Sequence, residues 1–324
     1  MTQKDQVKGV RIGYGYVIIA ALLWGISGSS AKFLFNSGVS PFQLVQLRLT
    51  LAAGILLLIL IFIRPALLKI PLKDVLYFVV FGTVGMAGVQ FTYLYTISKI
   101  NVAAAILLQY MAPFFIILYS FLFQGEKPTV ATGMALLGAF IGCYLVVGAY
   151  NLDILALNRL GVISGICSAI TFAWYGVYGE YGMRRYDPWT VLFFAFLFGT
   201  LVWNIIHPPL EAFNRSYTFI QWVWILYISV LGTLLPFGLY LKGVNYIRAA
   251  RAGIAATLEP ISAGILSAVF LKEFLGPLQI LGGVLVIASV VMLQLKQEID
   301  EKAPAVIKAR LEKEQGARRT EAGL

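Results

Sequence analysis

The chain has 324 residues, 60% of them hydrophobic and only 12% charged, with a formal net charge of +10. A soluble domain carries about 25% charged residues, so a water-exposed surface could not be built around this much apolar side chain, and lipid is the solvent that suits it. The basic residues lie in short segments between apolar runs and form no basic cluster of the kind nucleic acid needs. Cys143 and Cys167 both fall inside apolar runs, which excludes a disulfide framework.

In chain order, residues 1–12 are polar and basic, and an apolar run follows over 13–33. A cleavable signal would begin in the same way. This run is long enough to span a bilayer and nine more follow, so it reads as the first permanent helix. The next spans are expected at 42–63, which contains Arg48, and at 75–97, which contains Gly82, Gly85, Gly88, Gln90 and Tyr93. The four residues 98–101 separate this from a span at 102–123 with Gln109, Tyr110 and Pro113. Further spans are expected at 129–149, 160–180, 189–206, 219–240, 252–271 and 277–295. His207 lies alone beside two prolines in the loop after the seventh. The last residues, 297–324, are charged with mixed sign and read as a soluble or frayed helical tail. Each run is close to the ~20 residues that cross a bilayer as a helix. None alternates as the short strands of a membrane barrel do.

Two halves are recognisable. Pro113 and Pro260 are 147 residues apart, and so are Glu126 and Glu273, Pro41 and Pro188, and Gly85 and Gly232. Trp24 and Trp174 are 150 apart. The expected architecture is all-α and membrane-embedded: a cytoplasmic N-terminus (1–12), a five-helix repeat (13–150), a second five-helix repeat (151–296) and a cytoplasmic tail (297–324). Five is an odd number, so the second copy enters the membrane from the opposite side. Such inverted pairs are common in secondary transporters, with the solute site near midplane. With the N-terminus inside, the inner loops carry twelve Lys and Arg before the tail is counted, and the outer segments five. The positive-inside rule therefore places both termini in the cytoplasm.

The motifs Pro113 to Glu126, Leu258-Glu259-Pro260 to Glu273, Ala21-Leu22-Leu23-Trp24-Gly25 and Arg48 resemble the EamA-type ten-helix members of the drug/metabolite transporter superfamily, over about residues 13–295. The resemblance implies a multi-pass carrier of the bacterial inner membrane, often an exporter of amino acids or related metabolites. It also implies a central cavity lined by both repeats, with the fifth and tenth spans peripheral. Residues 245–251 depart from the pattern, with two arginines where the first half has none.

Glu259 is the one acid deep in a span. An ionised group there costs about 2.5–3.5 kcal/mol on insertion scales, and glutamate is too short to reach the interface. Two readings stand. One is a cavity carboxylate that binds a cation or a proton; the other is a hydrogen-bond partner at the kink beside Pro260. Arg48 could hold a carboxylate in its planar fork or be a structural anchor with its head drawn to the interface. Depth arithmetic places it about 10 Å from Glu259 along the membrane normal, which argues against a direct ion pair. Trp24 and Trp174 are expected to line a common path, with Gln90, Tyr93, Gln109 and Tyr110 as weaker candidates. Pro113 and Pro260 mark kinks. The glycines, including the pairs Gly138/Gly142 and Gly161/Gly165, read as close helix contacts. Glu126 and Glu273 sit at helix ends in structural roles.

No phosphate loop, metal-ligand spacing or nucleophile elbow occurs, so no cofactor, metal or catalytic residue is expected. The reading is a carrier of a small organic solute working in a lipid bilayer, with the oligomeric state left open. The alternative is a membrane-embedded enzyme acting on a lipid or polyprenyl substrate, which would need clustered acids or histidines at one interface. The topology is testable. A reporter active only outside the cytoplasm works when fused after Phe213 and fails after Lys69 or Lys308. The same signal from all three fusions rules out ten spans with both ends inside.

Overall fold

The computed structural model describes residues 3–151, 158–206, 208, 210–263, 276–295 and 300–321. His207, Glu273 and the second half of the expected ninth span lie outside them. Among the described residues every regular element is helical. We number the helices α1 (Gln3–Asn36), α2 (Pro41–Ile63), α3 (Leu72–Lys99), α4 (Val102–Gln124), α5 (Val130–Val146), α6 (Arg159–Met183), α7 (Pro188–Ile206), α8 (Phe219–Ala256), α9 (Pro277–Leu295) and α10 (Pro304–Glu321). Eight of these, all but α5 and α10, are long and apolar enough to cross a membrane; α5, with 17 residues, is apolar but shorter.

Local chemistry sets several boundaries. Ser40 caps α2 in a reciprocal box with Gln43, and Pro41 fills the first turn, where its missing N–H costs nothing. Thr218 and Gln221 form the same box at the start of α8. Two boundaries differ from the sequence reading. Helix α1 starts ten residues before the apolar run, because Val10 is buried and Gly13 lets α1 pack on α8. A Cβ on Gly13 would lie 2.8 Å from the Tyr246 Cβ. The eighth span and the first residues of the ninth form one run, Phe219–Ala256, which is broken at Arg248, whose φ of 64° and ψ of 167° leave the helical region.

Irregularities fall at matching places in the two halves. A π-helical turn occupies Phe81–Ala87 in α3 and another occupies Val230–Leu234 in α8. The chain breaks at Ile100 and Asn101 between α3 and α4, and at Arg248 within α8. A turn at Tyr110 and Met111 precedes Pro113, and a turn at Thr257 and Leu258 precedes Glu259 and Pro260. All three coincide within two residues under a shift of 147.

Side chains such as Phe62, Phe123, Ile205 and Val284 are exposed on the outer surface, where lipid would cover them. Helices α5 and α9 pack on each other through Gly142 and Gly282: a Cβ on Gly142 would lie 2.7 Å from the Gly282 carbonyl oxygen. The charged tail is not loose at its start. Helix α10 packs on α6 and α8, Ala303 is buried, and Lys308 Nζ donates to the Tyr186 carbonyl. Tyr186 in turn donates to Asp74, so the tail meets the α6–α7 connection, which is itself tied to the first turn of α3.

Overfilling that glycine contact costs roughly 1–3 kcal/mol. Gly142→Leu should lower the thermal midpoint of the purified protein by several degrees. Gly133→Leu, nine residues earlier on an open face of α5, should leave it unchanged. Equal midpoints for the two variants would show that the α5–α9 contact is dispensable.

Candidate functional site

A small cavity in the middle of the bundle is lined by Trp24, Ser27, Arg48, Val89, Gln90, Tyr93, Gln109, Phe237 and Glu259. It therefore gathers residues from α1, α2, α3, α4, α8 and the stretch after α8. Six of the eight binding candidates named from the sequence line it: Trp24, Arg48, Gln90, Tyr93, Gln109 and Glu259. Tyr110 stands directly behind, its hydroxyl donating to Glu259 Oε2 at 2.7 Å. The cavity measures about 20 Å³, room for about one water and none for an organic solute, so this conformation is closed around its polar groups.

Glu259 is buried, with 7% of its surface exposed. The break at Arg248 starts the next helix at Ala249, ten residues before Glu259, which places the carboxylate about 15 Å in. That is deeper than an apolar run starting at 252 implies. The turn at Thr257 and Leu258 frees backbone groups where Pro260 cannot donate. Thr257 Oγ1 donates to Ile254 O, and Ser262 Oγ donates to Glu259 O, which answers part of that demand locally.

Arg48 does not reach for an interface. It is 3% exposed, and Nε donates to Thr233 Oγ1 at 2.8 Å while Nη2 donates to the Gly232 carbonyl at 3.1 Å. Both acceptors belong to the π turn of α8. A π turn leaves carbonyls out of the normal ladder, and Thr233 Oγ1 itself donates to Ile228 O. Among the described residues Arg48 has no carboxylate within ion-pair distance and no partner for Nη1. Depth arithmetic separates Arg48 from Glu259 by leaflet; the structure puts both on one cavity, because the displaced helix start and the length of the arginine close most of the gap.

Trp24 meets Phe172, Phe237 and Tyr240 at ring-centroid distances of 5.9, 5.1 and 5.7 Å. Trp174 is not part of this box. It stacks on Tyr178 and lines an outward groove with Leu122 and Phe123. The inward position on α6 belongs to Phe172, and two residues along a helix turn a side chain by about 200°. Gln90 makes only a weak contact to Met86 Sδ at 3.5 Å. Pro113 is buried against Gly253, so this kink serves the α4–α8 contact. Phe237 and Tyr240 escaped the sequence reading, although the shift of 147 carries Gln90 and Tyr93 onto them.

A second polar centre lies at the end of the bundle that holds the N-terminal part of α1. Arg248 Nε donates to Glu180 Oε1 at 2.9 Å, and Nη1 to Glu126 Oε2 at 2.8 Å and Asp300 Oδ2 at 3.1 Å. The Ala249 N–H donates to Glu180 Oε2 at 3.0 Å, so Glu180 caps the new helix segment. Lys302 adds a contact to Glu126 at 2.7 Å. Partial burial raises the Glu126 carboxyl pKa, but its hydrogen bonds to Arg248 and Lys302 outweigh this and hold it below the usual range. A non-glycine residue with this backbone costs about 1–3 kcal/mol and persists only where its surroundings over-determine it; three carboxylates from α6, the α4–α5 loop and the tail do so here. The sequence signal was the pair of arginines at 248 and 251, noted as a departure but not matched to its acids.

A helical bundle with an apolar outer surface and a buried cavity holding an arginine and a glutamate is the build of a membrane transporter. The EamA-like transporter family matches residues 11–148 and again residues 159–295, and this chain belongs to that family, within the drug/metabolite transporter superfamily. It is 31% identical over 292 residues to an uncharacterized inner membrane transporter, YicL, of Salmonella typhimurium, covering 88% of this chain and 96% of that one. The threonine/homoserine exporter RhtA of Escherichia coli is 26% identical over 281 residues, covering 84% and 89%. A solved crystal structure, 18% identical, superposes with a TM-score of 0.70 over 90% of this chain and 97% of its own, which shows the shared fold.

The two tryptophans now separate. Trp24→Ala should reduce transport at least tenfold, because it opens the aromatic wall of the cavity. Trp174→Ala should retain more than half of the wild-type rate per inserted molecule. Equal losses in reconstituted vesicles would return Trp174 to the path.

Proposed function

We propose that this chain is a secondary transporter that exports a small metabolite of amino-acid chemistry across the bacterial inner membrane, by alternating access between two inverted five-helix repeats (13–150 and 151–296). Both termini are cytoplasmic in this reading, and ten spans cross the bilayer. The observation that carries it is the meeting of Arg48 and Glu259 on one closed cavity lined by both halves. A guanidinium with an unused donor suits a carboxylate, and a buried carboxylate suits an ammonium group or a proton. An α-amino acid bears both charges on one carbon. The relationship to RhtA supports the same chemistry.

The rest of the molecule is consistent with that cycle. A cavity of about 20 Å³ must open to admit solute. The matching breaks at Asn101 and Arg248 lie at opposite ends of α1: Lys32 Nζ reaches the Ile97 carbonyl at 2.8 Å, while Gly13 packs on Gly243, Tyr246 and Ile247. Nineteen residues of helix between Gly13 and Lys32 span about 28 Å, a separation that supports the inverted reading. The breaks supply places where each half can bend.

Efflux and uptake of a panel of amino acids by proteoliposomes, with and without a proton gradient, test the reading. Arg48→Gln should raise the apparent KM for the transported amino acid by roughly tenfold or more, the worth of a hydrogen bond to a charged group. Glu259→Gln should keep solute exchange but lose its response to a pH gradient. A panel in which no amino acid moves faster than in protein-free vesicles would sink the amino-acid assignment. Gradient-driven accumulation at the wild-type level in Glu259→Gln would remove Glu259 as the coupling group.

A further inference from the structure

We infer that the groove between α2, α7 and α8 is a binding site for an anionic phospholipid. The groove has a volume of about 280 Å³. Its walls are Leu60 and Ile63 of α2, Trp189 of α7, and Leu234 and Leu235 of α8, with Arg64 and Lys242 as its two cations. Ile63 is 70% exposed and Leu60 is buried, so the apolar floor opens outward through a lipid-facing rim.

The two cations distinguish this groove from an ordinary seam between helices. Arg64 follows the last residue of α2, where the apolar run gives way to the loop. Lys242 lies at the same end of the bundle, one residue before Gly243, which packs against Gly13. Its ammonium rests over the rings of Tyr16 and Trp189, at 5.1 and 5.3 Å. Aromatic faces hold a cation in place without neutralising it. Among the described residues neither Arg64 nor Lys242 has a carboxylate within ion-pair distance. Six residues on, Arg248 engages Glu180, Glu126 and Asp300. Among the described residues the protein supplies counter-charge to Arg248 and leaves Lys242, on the same helix, without a carboxylate partner beside an open apolar groove.

The complement of this surface has two parts, an acyl chain for the leucine and isoleucine walls and a phosphate at the end where the spans stop. Arginine offers a fork to phosphate oxygens and lysine a point charge. A phosphatidylcholine carries the same phosphate but brings its own cation, so a net anionic headgroup is the better match. Two juxtamembrane cations, each contributing about 1 kcal/mol toward anionic lipid, correspond to a preference of roughly tenfold or more. The groove also backs onto the cavity: Leu234 belongs to the π turn whose Thr233 and Gly232 hold Arg48.

Native mass spectrometry of the delipidated full chain tests the site, with phosphatidylglycerol and phosphatidylcholine of identical acyl chains in competition. Wild type should retain phosphatidylglycerol roughly tenfold over phosphatidylcholine. Arg64→Gln/Lys242→Gln should bring the ratio near one, and each single variant should give an intermediate value. Arg215→Gln, whose side chain pairs with Glu211, should leave the ratio unchanged. Leu235→Trp should lower retention of both lipids by filling the groove. Inorganic phosphate at the same concentration should not compete. A wild-type ratio near one, an unchanged ratio in the double variant, or competition by free phosphate would each overturn the assignment, as would a second copy of the chain occupying the groove. The midpoint of thermal unfolding gives a second reading: phosphatidylglycerol should raise it in wild type and not in the double variant.

Discussion

A helix that breaks inside hydrocarbon exposes N–H and C=O groups that no solvent can satisfy, so it can break only where the protein itself answers them. This constraint organises the molecule. The π turn at 230–234 releases the Gly232 carbonyl, and Arg48 takes it. The turn before Glu259 is tied back through Thr257 and Ser262. The break at Arg248 exposes the Ala249 N–H, and Glu180 caps it. Among the described residues Arg48, Glu180, Arg248 and Glu259 each sit at or against a helix irregularity, because that is where the backbone offers a partner.

The two ends of the bundle meet the constraint differently. At the break between α3 and α4, Asn101 caps the new helix with its own side chain and Lys32 reaches the Ile97 carbonyl. These are contacts between one charge at most and neutral dipoles. At the equivalent break in α8, a buried arginine binds three carboxylates contributed by separate parts of the chain. Removing one partner from such a buried cluster strands the others at a cost of about 3–5 kcal/mol. The end that holds Arg248 is therefore held by mutual dependence among α4, α6, α8 and the tail.

The cavity combines a rigid aromatic wall with polar groups that are under-used in this conformation. Trp24, Phe172, Phe237 and Tyr240 interlock at 5.1–5.9 Å, while Arg48 Nη1 has no partner among the described residues. Buried donors without acceptors are costly and mark a place where another molecule can supply the missing group. The arrangement keeps shape constant with rings and leaves chemistry available at its centre.

Hydropathy alone determined the membrane-embedded, all-helical class and most helix ends, because lipid allows few alternatives to a continuous apolar helix. The spacing of 147 between Pro113 and Pro260 was equally legible, and it points to Phe237 and Tyr240 once applied to Gln90 and Tyr93. Glu259, Arg48 and Trp24 stood out because charge and bulk are rare at such depth. Tertiary structure alone decided which of these faced one another. Trp174 turned outward because helical phase is set by the neighbours that fill each side, here Phe172 on the inward face. Arg48 and Glu259 came to one cavity because helix starts and π turns shift depth by several ångströms, which a count along apolar runs does not register. The Arg248 cluster was hidden for a further reason: its acids lie 52 to 122 residues away in the chain, and only folding brings charges so distant in sequence within hydrogen-bonding reach.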